Sequence, residues 1–157
     1  MILDQQTVLW DNVALTTSAY STNSYDCGAI PTGGSANGQA LDISVGNPLA
    51  MIIAVTVAAT VNGTQTYEFD ITQSASATAS SSPDTLVQVA FTTTQASTLL
   101  LAGAIIVVPL PAGSVTKRYV SGHYVSANSA SISVTGWLAE ETAAQILKYY
   151  TSAIVVQ

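Results

Sequence analysis

Short runs in which apolar and polar residues alternate one for one, each closed by Gly, Pro, Asn or Ser, limit this chain more than any other feature. In the clearest run, Tyr67, Phe69 and Ile71 alternate with Glu68, Asp70 and Thr72. A strand sends successive side chains to opposite faces of a sheet, so a period of two predicts a half-buried strand with its charged face in solvent. Val87, Val89 and Phe91 alternate with Gln88, Ala90 and Thr92, and Ile132 and Val134 with Ser133 and Thr135, in the same way. Leu49 to Val57 is apolar on both faces, as a central strand would be.

Further strands are expected over Tyr20 to Cys27, Ala104 to Leu110 (closed by Pro109 and Pro111), Lys117 to Ser126 and Ser131 to Trp137. Residues 1–10 read as an extended arm or first strand. Turn residues crowd Gly28 to Gly38, and Ser74 to Ser82 has no side chain large enough to pack, so both are expected as loops, the second mobile. Asn62-Gly63 suits a type I′ hairpin turn, because both residues accept a positive φ. Only the tail reads helical: Ala143, Ile146, Leu147, Tyr150 and Ile154 fall at helical spacing behind Glu140 and Glu141, which predicts a helix over Ala139 to Ser152. Short strands at this density point to an all-β domain, a jelly roll or β-sandwich of about eight antiparallel strands. Residues 1–157 form one domain, with an arm or first strand over 1–10 and a helix and tail over 139–157. No internal repeat is visible.

Composition then says what coats such a fold. Asp, Glu, Lys and Arg make up only 8% of the chain, while 18 Ser and 20 Thr supply the polar surface. Charged side chains hold monomers apart and cost desolvation energy when an interface closes over them, so a neutral coat favours assembly. Nine acids against Lys117, Arg118 and Lys148 give a net charge of −6. Three cations cannot line a run of phosphates, which argues against nucleic acid. No apolar stretch reaches the roughly 18 to 20 residues of a membrane helix. The first six residues lack the basic and apolar regions of a secretory signal, and the single Cys27 excludes an internal disulfide, so a protein made in a reducing cytoplasm is expected.

Candidates for chemistry are few. His123 is the only imidazole, with Ser121 two residues away on the same strand face, but the sequence identifies no partner acid and no nucleophile elbow. A plain strand histidine is the better reading, and no enzyme activity is expected. Nothing near Cys27 in sequence would lower its pKa. One histidine and one cysteine exclude an ordinary zinc site, whereas Glu68 and Asp70 on one face, with Asp26, Asp42 and Asp84 near loops, leave oxygen ligands for calcium conceivable. A solvated strand face explains the first two more simply, and no cofactor is expected. Gly33-Gly34-Ser35 lacks the Lys of a phosphate loop, and Asn62-Gly63-Thr64 is explained as a turn. Tyr67, Tyr119, Tyr124, Trp10 and Trp137 could stack on sugars, although aromatics on alternating strands more often form core.

Several segments, in their order, resemble the cement proteins that decorate tailed-bacteriophage capsids. They are Met1-Ile2-Leu3-Asp4-Gln5-Gln6, the Thr- and Ala-rich stretch into Ser21-Thr22-Asn23, Gly46-Asn47-Pro48-Leu49 before an apolar strand, and Val108-Pro109-Leu110-Pro111-Ala112-Gly113 leading into Lys117-Arg118-Tyr119-Val120 and Tyr124. The similarity spans about residues 1–138, and the tail beyond Ala139 departs from it. It implies a jelly roll on the outer surface of the virion, bound across copies of the major capsid protein, with no catalytic residue; a homo-oligomer, dimer or trimer, is expected with it, and no metal is expected from the residues. Met1, Ile2, Leu3 and Trp10 of the arm and Tyr149 and Tyr150 of the tail are the candidate capsid or self-association contacts. The alternative is a carbohydrate- or receptor-binding jelly-roll module of a phage particle, reading its ligand with Tyr119, Tyr124 or Trp137.

Overall fold

The computed structural model describes residues 7–28 and 49–140. Eight strands and one short helix follow one another: β1 (Val8–Leu15), β2 (Ala19–Asp26), β3 (Leu49–Val57), β4 (Thr66–Ser74), β5 (Asp84–Thr92), α1 (Thr93–Leu99), β6 (Ile105–Pro109), β7 (Tyr119–Ala127) and β8 (Ile132–Glu140). All pairings are antiparallel and follow one rule: β1 pairs with β8, β2 with β7, β3 with β6 and β4 with β5. The described chain is thus one long ribbon folded back on itself between β4 and β5. Two further pairings, β3 with β8 and β4 with β7, join the ribbon's segments side by side. The result is two four-stranded sheets, β1-β8-β3-β6 and β2-β7-β4-β5.

The alternation seen in sequence supplies the core. Tyr67, Phe69 and Ile71 of β4, Val120 and Tyr124 of β7, and Met51, Ile53 and Val55 of β3 join Leu9, Trp10, Ile132 and Val134 in one buried cluster. Val87, Val89 and Phe91 of β5, an edge strand, pack against it half-buried. Leu49 to Val57 is apolar on both faces because both are covered: Ile52 lies on the side away from the main core, in a second cluster with Trp137, Ala54, Ile105, Val107 and Ala139.

Trp10 sets the geometry of the core. The register of β1 against β8 shifts on either side of it, and Asn12 takes a φ of 48°, so a bulge re-aims the strand and lets the neighbours Leu9 and Trp10 both be buried. The indole lies between Gly122 of β7 and Gly136 of β8, one from each sheet. A Cβ at Gly122 would sit 2.4 Å from its Cη2 and one at Gly136 2.7 Å from its Cε3.

Four expectations need correction. Asn62-Gly63 does not close a hairpin, since β3 and β4 belong to different sheets; Gly63 has a φ of 90° while Asn62 is not among the positive-φ residues, so the turn is not type I′. The face of Glu68, Asp70 and Thr72 is not solvated, because Asp70 and Thr72 are buried. The loop over Ser74 to Ser82 is held by hydroxyls of its own and of β2: Ser74 Oγ donates to Ser81 O at 2.6 Å, and Ser24 Oγ of β2 donates to Ala77 O at 2.9 Å. Finally, β8 continues through Glu140, so Ala139 and Glu140 are strand, while the rest of the expected tail helix lies outside the described residues. The helix that is present, α1, was not read from the sequence.

Candidate functional site

Four large apolar side chains are exposed among the described residues: Val57, Val61, Leu99 and Leu101. All four sit at one end of the molecule. The segment that follows β3 and the segment that links α1 to β6 run side by side there, held by Ala59 N–H donating to Leu100 O (3.0 Å) and Gly103 N–H to Val55 O (2.8 Å). Local chemistry fixes this end. Thr92 caps α1 through a capping box with Gln95, whose side-chain oxygen accepts from the Thr92 N–H at 2.9 Å. Buried Ala96 and Leu100 anchor the helix, which leaves Leu99 and Leu101 facing out. Thr93 Oγ1 donates to Gln65 O, and the Tyr67 hydroxyl donates to Thr60 O.

No charged residue occurs in any described segment at this end, which comprises residues 15–18, 57–65, 92–104 and 127–131. The opposite end carries the ion pairs. Arg118 grips Asp26 with two nitrogens, Nε to Oδ1 at 2.8 Å and Nη2 to Oδ2 at 2.7 Å, and Lys117 Nζ lies 2.8 Å from Asp84 Oδ2. The Arg118 hydrogen bonds and the Gly28 N–H hold the Asp26 carboxyl down at about 2. The described domain is therefore polarised, with an apolar, uncharged end and an ion-paired one.

A different arrangement occupies the side of β2-β7-β4-β5 that faces away from the core. Tyr20, His123, Asp70 and Gln88 lie in register on β2, β7, β4 and β5 and form a row across the sheet. The Tyr20 ring stacks on the imidazole with centroids 4.0 Å apart, and His123 Nδ1 is 3.2 Å from Asp70 Oδ2. No sequence signal pointed to this acid, because the two residues are 53 positions apart and only the β4–β7 register brings them together. Ser121 turns to Thr72 instead, with the two hydroxyl oxygens 3.0 Å apart. The row supplies an acid–imidazole pair, and the neighbouring hydroxyl is engaged elsewhere. A cleft of about 350 Å³ opens beside Tyr20, between residues 20–23 of β2 and 77–80 of the loop after β4.

Of the expected contact residues, Trp10 is corrected: it is fully buried between the sheets and offers nothing to a partner. Met1, Ile2, Leu3, Tyr149 and Tyr150 lie outside the described residues. Tyr124 is core, and Trp137 is only 6% exposed in the second apolar cluster, so neither presents a ring face to a sugar. Asp26 and Asp84 are taken by Arg118 and Lys117, Asp42 is outside the described residues, and no group of three metal-ligating side chains converges among the described residues. Burial, then the neighbouring Asp26 charge, raises the Cys27 thiol to about 11, which keeps it unreactive at neutral pH. The sequence reading missed the exposed apolar end; its signal was Leu99-Leu100-Leu101, three large apolar residues in a row after a Thr-rich helix start.

No curated protein matches the sequence. A family model does, over residues 9–135, from the second residue of β1 into β8 and hence over most of the chain, and on this match the chain belongs to the Bbp16 family.

Proposed function

We propose that this protein is a capsid cement protein, a structural component that binds the outside of a phage head and ties neighbouring major capsid proteins together. The uncharged apolar end carries this reading, and it agrees with the order of segments that resembles the cement proteins. The fold reading that goes with it is a jelly roll. Two sheets ordered β1-β8-β3-β6 and β2-β7-β4-β5, with each strand of the first half paired to its mirror strand in the second, are what results when one antiparallel ribbon is rolled into a double-sheet jelly roll.

The uncharged end is the surface that faces the shell in this proposal. Val57, Val61, Leu99 and Leu101 offer apolar area, and no charge there has to be stripped of water when the contact forms. One such contact is small. A dimer or trimer spanning several capsid subunits multiplies it, because each later contact forms at high effective concentration. Sedimenting the purified protein with undecorated heads tests the proposal: saturable binding that changes little as salt is raised supports it, and no saturable binding at any salt concentration contradicts it.

The second reading, a carbohydrate-binding module of the particle, has the cleft beside Tyr20 in its favour, since its lining of Ser, Thr and Asn with one tyrosine is uncharged. Specific glycan binding lost in Tyr20→Ala, with head binding absent in the parent protein, would favour that reading.

A further inference from the structure

We infer that Asn62 is a self-modification site: in the folded protein its carboxamide is attacked by the backbone nitrogen of Gly63 and ends as a carboxylate, which places a negative charge on the end of the molecule that has none. The observation is how differently the fold treats its asparagines. Three of those among the described residues are tethered. Asn12 Oδ1 accepts from Thr56 Oγ1 at 2.9 Å, Asn23 Nδ2 donates to Val8 O at 3.1 Å, and Asn128 Nδ2 donates to Thr64 O at 2.8 Å and to Thr64 Oγ1 at 3.1 Å. Each is also followed by a residue with a side chain, Val13, Ser24 or Ser129, whose Cβ crowds the approach to the next backbone nitrogen.

Asn62 differs on both counts. It is exposed between β3 and β4, its carboxamide is bonded by no described residue, and the residue that follows is a glycine. The turn is held at its neighbours and not at the reacting atoms: the Asn62 N–H donates to Gln65 Oε1 at 2.9 Å, and Asn128 grips Thr64. Gly63 is exposed with a φ of 90°, and no described residue accepts from its N–H, so this amide is free to lose its proton to solvent base.

The deprotonated Gly63 nitrogen and the Asn62 Cγ are tethered by the chain between them, so attack closes a five-membered ring without a bimolecular encounter. A bond forms from that nitrogen to Cγ. The bond from Cγ to the amide nitrogen breaks, and the amide nitrogen takes a proton and leaves as ammonia. Water then opens the cyclic imide. Addition at Cγ restores the main chain and leaves an aspartate, while addition at the main-chain carbonyl carbon leaves an isoaspartate; both carry one carboxylate, and no oxidant or reductant takes part. Asn62 adjoins the exposed Val61 within residues 57–65, where no charged residue occurs. A carboxylate there has to be stripped of water whenever this end is covered, so conversion lowers head binding, a consequence that rests on the cement reading while the chemistry does not.

The test ages the full chain in mildly alkaline buffer, folded and in guanidinium, and uses fragmentation mass spectrometry to assign each amide-to-acid conversion to its asparagine, which keeps Asn62 apart from Asn37-Gly38, outside the described residues. Expected at Asn62 are aspartate and isoaspartate together, formed in the folded protein within a few-fold of the rate in the unfolded chain, whereas Asn23 and Asn128 convert far more slowly folded than unfolded. Conversion of Asn62 only after unfolding, or no faster than that of Asn128 in the folded protein, would overturn the inference. Binding is read separately with Asn62→Asp and Asn62→Ser: loss of head occupancy in the aspartate variant alone supports the consequence, and equal occupancy of the two contradicts it. A parent protein that binds no heads counts against the cement reading and leaves the mass-spectrometric result to decide the chemistry.

Discussion

Trp10 shows how much of the fold rests on one residue and two absent side chains. The indole fills the space between the sheets only because Gly122 and Gly136 have no Cβ to collide with it. Adding a methyl at Gly122 forces it into the fixed six-membered ring of a fully buried tryptophan, so Gly122→Ala should cost about 1–3 kcal/mol or more, while Trp10→Ala, which leaves a cavity, should cost about 3–5 kcal/mol. Chemical denaturation of the two single variants and the double variant checks this. The pair is expected to be strongly non-additive, since Gly122→Ala has nothing left to clash with once the indole is gone. The sequence left Trp10 open between an arm contact and a core aromatic, because the bulge at Asn12 that turns the ring inward leaves no mark on the alternation pattern.

At the same scale, acid weakens the ion pair of Asp26 with Arg118. Its carboxyl is held down at about 2 by Arg118 and the Gly28 N–H, so its contribution is present above the ordinary carboxylate pKa and is lost as pH falls through the folded value. Asp26→Asn should therefore reduce the acid sensitivity of the parent below about pH 4 and leave the slope above about pH 5 unchanged, as melting curves over both ranges would show. The pair is solvent-exposed, so the effect is expected to shrink in high salt.

At the scale of elements, the strands were legible and their partners were not. Period-two alternation marked β4, β5 and β8, and the doubly apolar run marked β3, because local pattern follows directly from which faces are buried. Pairing is a long-range property. The β4–β7 register that joins Asp70 to His123, and the separation of β3 from β4 into different sheets despite Asn62-Gly63, depend on contacts that no window of ten residues contains. The helix α1 did leave a local mark, Thr92-Thr93-Thr94-Gln95, the signature of a capping box, but β-branched threonines argue for strand on propensity and the cap prevailed. Thr92→Ala should cost about 1 kcal/mol in denaturant unfolding. It should also raise hydrogen exchange in α1 and the segment carrying Leu99 and Leu101, since a seven-residue helix has little else to hold it.

For the whole molecule, composition foretold a neutral coat, and the structure shows that the neutrality is unevenly placed. All the ion pairs between Lys or Arg and acids among the described residues gather at one end, and all the exposed large apolar side chains at the other. A chain selected only for solubility would gain by scattering charge over that apolar end, so its bareness is the feature that the cement reading explains. The most direct measurement is head occupancy, at equal protein concentration, of two variants whose folding is matched by their melting curves: Leu99→Ser with Leu101→Ser at the apolar end, and Lys117→Ser with Asp84→Ser at the ion-paired end. Exposed substitutions of this kind should change stability by only about 0.5 kcal/mol per site, so folding will not confound the comparison. The account predicts that the leucine variant fails to decorate heads while the ion-pair variant binds like the parent; equal binding by both variants, or loss only in the ion-pair variant, would contradict it.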